Sequence, residues 1–156
     1  MLAKDAFNET CNMICRKYEQ YGFKYIKSKK VISAIINGCT INLCANTSRD
    51  NSSDFFVAFN MVAMLVCGDK TIFYLRSQQI KESELHGENI CIEMPESSLI
   101  HSMPTRQFVC GILINWNIAF AEQRELAVDD VTEWLDRSFF ANEQVIEALG
   151  VKIVSA

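Results

Sequence analysis

Phe7, Cys11, Ile14, Tyr18 and Tyr21 recur at steps of four, three, four and three, a spacing that sets side chains along one face of an α-helix. Gly22 follows as the expected C-terminal cap, since it accepts a left-handed backbone without a steric penalty. From there the apolar period shortens to two. Phe23 to Lys27, Val31 to Ile36, Cys39 to Ala45, Phe55 to Cys67 and Thr71 to Leu75 each read as a strand. Asn37-Gly38 predicts a two-residue hairpin turn, because both residues tolerate positive φ. Gly68-Asp69 predicts another. Within the third strand Cys39, Ile41, Leu43 and Ala45 share one face and Thr40, Asn42 and Cys44 the other. Cys39 and Cys44 therefore cannot bridge each other.

Between residues 45 and 55 lies a polar stretch, Asn46-Thr47-Ser48-Arg49-Asp50-Asn51-Ser52-Ser53. Asn, Asp and Ser bond to nearby backbone, so the first reading is a hairpin end. The connection is longer than closure requires, which leaves a recognition loop as the second. Residues 77 to 104 are polar and rich in Glu, with one short strand expected at Asn89 to Met94 and exits at Pro95 and Pro104. Phe108, Ile112, Trp116 and Phe120 recur every four residues and favour a buried helix from about Thr105 to Leu126, although Val109, Ile114 and Ile118 suit a strand equally. Asp130 with Glu133 has the spacing of a capping box. Val131, Trp134, Leu135, Phe139, Val145, Ile146 and Leu149 then supply a helical stripe, interrupted near Asn142 and ended by Gly150. Val151 to Val154 reads as a last short strand.

The elements together predict an α+β fold in one domain, residues 1–156: an N-terminal helix, an antiparallel sheet of about five strands, and C-terminal helices packed on one face. Ten Phe among 156 residues suggest a core built from large rings. Seven Cys are an odd number with no CxxC pair, and the opening residues lack the apolar run of a signal peptide. Reduced core thiols in a cytoplasmic protein are the resulting expectation, with no defined disulfide set. Cys11 and Cys15 stand one helical turn apart, but no further ligand stands near them at metal spacing, and packing is the preferred reading. The apolar runs are too short and too interrupted by Asn to span a bilayer.

The chain carries no GxSxG, Walker, HExxH, EF-hand or Rossmann signature. His86 and His101 are too far apart for a metal pair, and no cofactor or metal site is expected. Charge is unevenly spread. Residues 1 to 81 hold eleven Lys or Arg against six Asp or Glu, and residues 82 to 156 hold four against thirteen, giving +5 and −9. Glu122, Glu125, Asp129, Asp130, Glu133 and Asp136 gather within fifteen residues, and Glu88 and Glu93 belong to the acidic stretch before them. An acidic surface steers a basic partner and speeds association. Asp129 and Asp130 also suit the first turn of a helix, near its positive dipole end. Lys24, Lys27, Lys29 and Lys30 beside Phe23 and Tyr25 would suit nucleic acid, but the run is short and the sequence pI is about 5.2. Lysines on an edge strand also block edge-to-edge pairing. Nucleic acid is not expected.

A helix ending at Gly22-Phe23, a Lys-rich hairpin, and then "INLCANTSRDNSSDFFVAFN" resemble, in that order, small bacterial proteins with a leading helix and an antiparallel sheet. Some of those are similar in style to the immunity proteins of toxin systems. The resemblance covers residues 5 to 61, brings no catalytic motif, and departs in its cysteines. It implies a protein-binding module of the immunity type and carries no functional residue across; the charge distribution supplies the surface, the acidic residues above, with which such an inhibitor would occlude a basic toxin domain. The alternative expectation is an enzyme or small-ligand protein with a pocket between sheet and helices.

Overall fold

The computed structural model describes residues 1–47, 57–77, 89–92, 107–110 and 113–156, with 89–92, 107–110 and 113–114 described through their backbone alone. Helix α1 (Ala3–Tyr18) buries Phe7, Cys11, Ile14 and Tyr18, the stripe its spacing predicts. A 3-10 turn (Glu19–Tyr21) tightens its end, and Gly22 closes it at φ +87°, its N–H donating to the Glu19 carbonyl at 2.9 Å.

Five strands follow: β1 (Lys24–Ile26), β2 (Val31–Ile36), β3 (Cys39–Asn46), β4 (Ala58–Cys67) and β5 (Lys70–Arg76). Each pairs antiparallel with the next. Asn37 (φ +50°) and Gly38 (φ +79°) form the two-residue turn between β2 and β3. Because side chains alternate across a strand, Ile32 and Ala34, then Ile41 and Leu43, then Phe59, Met61, Ala63 and Leu65 point to one side and are buried there. Asn46 pairs with Asn60, so the polar stretch does connect neighbouring antiparallel strands, and Thr47 Oγ1 donates to the Ala58 carbonyl at 2.7 Å. Residues 48–56, and with them the recognition-loop reading, lie outside the described residues.

The expected helix over 105–126 does not form. Its first part is two strands, β7 (Gln107–Cys110) and β8 (Leu113–Asn117), and helix α2 (Ala121–Trp134) begins only after them. A recurrence of four is a multiple of the strand period, so Phe108, Ile112, Trp116 and Phe120 could not separate the two readings. Their fates differ: Trp116 is 1% exposed and Phe120, the last residue before α2, is 50% exposed. Strand β6 (Asn89–Ile92) lies parallel to β7, β7 antiparallel to β8, and β8 joins β4 through Ala58↔Asn117 and Phe59↔Trp116. The sheet order among the described residues is β1-β2-β3-β4-β8-β7-β6, with β5 also on β4.

The capping box expected at Asp130 and Glu133 is also corrected. Helix α2 starts nine residues before Asp130, where the Phe120 N–H donates to Gln123 Oε1 at 3.2 Å. A π-helical turn (Leu135–Phe139) and then α3 (Glu143–Leu149) continue the stripe. Asn142 interrupts it as foreseen, accepting from the Gln144 N–H at 2.9 Å as the N-cap of α3, and Gly150 ends it at φ +71°. Residues 151–154 join no strand ladder. That tail is held by individual contacts instead: Ile153 is buried, the Val154 N–H donates to the Tyr21 hydroxyl, and the Ala156 N–H donates to the Lys17 backbone carbonyl.

All described helices cover the same side of the sheet. Phe7, Tyr18, Phe23, Phe59, Trp116, Phe139 and Phe140 sit in that single core, and the Phe73 ring stacks on Phe139 at 5.7 Å. No described helix is long and apolar enough to cross a membrane. One expectation about the thiols fails here. Cys39 and Cys67 stand directly opposite in the β3–β4 register, with Cα atoms 4.6 Å apart, and are joined as a disulfide. Hairpin register produced that pair, since Cys39 opens β3 after one turn and Cys67 ends β4 before the next. Cys11, Cys15 and Cys44 are free.

Candidate functional site: the outer ridge of the second helix

The acidic residues of the 122–136 stretch sort by helical phase. The inner face of α2 is fully engaged: Ala127, Val128, Val131 and Trp134 enter the core. Arg124, also buried, donates from Nη1 to the Ile118 and Ala119 carbonyls, both at 3.0 Å, and its Nε faces the Glu9 carboxylate at 3.3 Å. Asp130 belongs to this inner face. It is only 4% exposed and accepts from the Trp116 indole N–H at 3.0 Å. It is therefore neither a first-turn residue nor part of a solvent-facing patch.

Asp136 is half-buried and equally committed. It accepts from the Tyr18 hydroxyl at 2.9 Å, from the Ser155 N–H and from the Ser155 hydroxyl, tying α1 and the C-terminal tail to the end of α2. Burial, reinforced by the Asp136 charge, pushes the Tyr18 phenol far above its ordinary 10.0.

Glu122, Glu125, Asp129 and Glu133 remain, at steps of three, four and four, all exposed along the outer face. Glu133 meets Arg137 at 3.7 Å, while among the described residues Glu122, Glu125 and Asp129 make no ion pair. The row borders two open grooves on the helix layer. One, of about 540 Å³, runs between α1 and α2 over Met13 and Val128, with Arg16 and Lys17 on one wall and Glu125 and Asp129 on the other. The second, of about 630 Å³, adds Arg137 and Lys152 beside Glu133 and Asp136. The ridge is thus an acidic row between cations rather than a uniformly acidic patch. Glu88 and Glu93 lie outside the described residues.

Between sheet and helices, where the alternative reading put a pocket, the rings of Phe59, Trp116, Phe139 and Phe140 belong to the buried core. Among the described residues no three His, Cys, Asp or Glu side chains gather as a metal site, and His86 and His101 lie outside them. The Cys11 thiol is buried, which pushes it from 9.0 up to about 12. Such a thiol is a poor nucleophile at neutral pH. Beside Lys24 and the lysines of the turn after β1, Phe23 is buried against Tyr18 and Phe140, and the Tyr25 hydroxyl donates to Asn8 Oδ1 at 2.6 Å. Neither ring is presented for base stacking.

One further surface carries no chemical motif in the sequence. The second side of the sheet carries Ile35, Cys44, Val62, Met64 and Tyr74 with no described helix over it. The signal was present, since alternation that assigns one set of residues to the core assigns the other to this side. Comparison with protein families, curated proteins and solved structures found no match. The functional reading rests on the chemistry of these surfaces.

Proposed function

We propose that this chain is a protein-binding module, in its most concrete form an immunity-type inhibitor that occludes a basic toxin domain with the outer ridge of α2. The observation that carries the reading is the line of Glu122, Glu125, Asp129 and Glu133 on a helix whose opposite face is fixed by Arg124, Asp130 and Trp134. A rigid row of carboxylates costs little ordering entropy on binding and attracts a cationic surface before contact. Asp130 supports the ridge from within, and Asp136 lines the second groove with its carboxylate committed to Tyr18 and Ser155. A cytoplasmic setting keeps its place in this proposal only with Cys39 and Cys67 as thiols.

The test uses a basic toxin domain against which the chain protects cells. Stopped-flow association with the parent should slow steeply as salt rises, because steering is screened over roughly 10 Å at 0.1 M salt. The E122K/E125K/D129K variant should associate at least about tenfold more slowly at low salt with an unchanged melting curve. Equal rates and equal protection from toxicity by variant and parent would refute the reading.

A further inference from the structure

The outer side of β1–β5 is built from three cross-strand rows. One runs Ile26, Val31, Cys44, Val62, Arg76 and the next Lys24, Ser33, Asn42, Met64, Tyr74. The third runs Ile35, Thr40, Val66, Thr71, where a register shift inserts Ile72 into β5. Ile35 is 77% exposed and Tyr74 51%, although both are large and apolar. Ser33 Oγ donates to Asn42 Oδ1 at 2.9 Å, which satisfies polar groups in the middle row within the sheet itself.

Among the described residues, the charged side chains on the three rows are both cations, and Asp69 stands exposed in the β4–β5 turn at the far end of the face. Lys24 stands at the β1 edge and Arg76 at the β5 edge, with the Arg76 guanidinium 5.7 Å from the Tyr74 ring. Lys27 and Lys29 follow in the turn beyond β1, both exposed. None of the residues on the three rows is acidic. The two edges are four strand spacings apart, about 19 Å at roughly 4.8 Å each. Two copies meeting through this face would bring cationic edges together without a carboxylate between them, so a second copy is disfavoured.

We propose that this face is a docking surface for another protein's amphipathic helix, one whose apolar stripe is flanked on both sides by Asp or Glu. A helix about 10–12 Å across fits over the apolar rows, and its flanking carboxylates then reach towards Lys24 and Arg76. The docked helix makes the third layer of an α-β-α arrangement, the same packing that α1 and α2 supply on the other side. Tyr, Met and Arg, which this face presents, are the residue types enriched in interface centres. The surface is on the far side of the sheet from the α2 ridge and takes a partner of opposite charge.

The experiment uses the full chain and two synthetic 18-residue helical peptides with the same Leu stripe, one flanked by Glu and one by Lys. Peptide fluorescence anisotropy at low salt should show the Glu-flanked peptide binding at least tenfold more tightly. It should also protect the fraction of thiol reactivity that a Cys44→Ser variant lacks. Ile35→Asp, at a position exposed enough to leave the fold intact, should weaken that binding about tenfold, and K24E/R76E should reverse the peptide preference. E122K/E125K/D129K should change nothing, which separates this proposal from the ridge reading. Equal binding of the two peptides, no detectable binding of either, or binding insensitive to Ile35→Asp would overturn it. So would self-association of the chain that Ile35→Asp abolishes, since the occupant would then be a second copy.

Discussion

Reducing the Cys39–Cys67 bond should lower the stability of this protein by several kcal/mol without unfolding it at room temperature. The bond closes a loop with a sequence separation of 28. In the chain-entropy relation, a cross-link over that separation removes about 12 cal/mol/K from the unfolded ensemble, or about 3.6 kcal/mol at 25 °C. The hairpin is already fixed at this end by the pairing of β3 and β4, so most of the effect is on the unfolded chain. For a domain of this size each kcal/mol moves the melting point by about 2–4 °C, which gives a fall of about 7–14 °C. The assay is a pair of thermal melts by circular dichroism, oxidised and reduced, with peptide mapping to establish that Cys39 and Cys67 are linked before reductant is added. A C39A/C67A variant should melt at the same temperature with and without reductant. A reductant-induced shift below 2 °C in the parent, or a shift that persists in the double variant, would refute the reasoning. Linkage of either cysteine to a different partner would refute the register itself.

Two further outcomes follow from buried groups. Asp130→Ala removes the acceptor of the Trp116 indole N–H inside the core and should cost about 1–3 kcal/mol, read from urea unfolding, whereas Asp129→Ala one residue away should stay within about 0.5 kcal/mol. The Cys11 thiol is raised by burial from 9.0 to about 12, so the folded state holds a proton the unfolded chain gives up; that stability is complete below pH 9 and is lost as pH climbs towards 12. Melting points measured from pH 8 to 11 should fall more steeply for the parent than for Cys11→Ala, and equal slopes would contradict the assignment.

The described parts of the first 76 residues, 1–47 and 57–76, were legible because their two periods do not overlap. Steps of three and four from Phe7 to Tyr18 fit only a helix. Strict alternation through Ile41, Leu43 and Ala45 fits only a strand, and Asn37-Gly38 sets the register between strands. Trp116 and its neighbours were not legible, because a spacing of four satisfies both periods. There the decision belongs to pairing: Trp116 lies opposite Phe59 on β4, a contact 57 positions away that no local window contains. The same gap hid the Cys39–Cys67 pair. Once β3 and β4 are placed in register, it follows directly from counting back from Gly68.

The acidic stretch shows how far composition can carry a functional claim. Six carboxylates between residues 122 and 136 looked interchangeable by charge, yet helical phase divides them into two kinds. Asp130 and Asp136 serve Trp116, Tyr18 and Ser155, so they hold three separate elements in place. The other four are exposed and have no such commitment to the core, and Arg16, Lys17, Arg137 and Lys152 line the grooves beside them. Removing two charges and adding four of opposite sign leaves a row whose selectivity must come from the position of its carboxylates rather than from net charge. The sheet's outer side presents the converse case: two of its three rows carry a cation at one end, Arg76 in one and Lys24 in the other, and none of the three holds an acid. A partner's charge pattern should therefore discriminate between the two faces more sharply than its net charge does. The two proposed partners, a helix with a Glu-flanked stripe and a flat basic surface, are opposite in sign and different in shape, so they should bind opposite sides of this molecule.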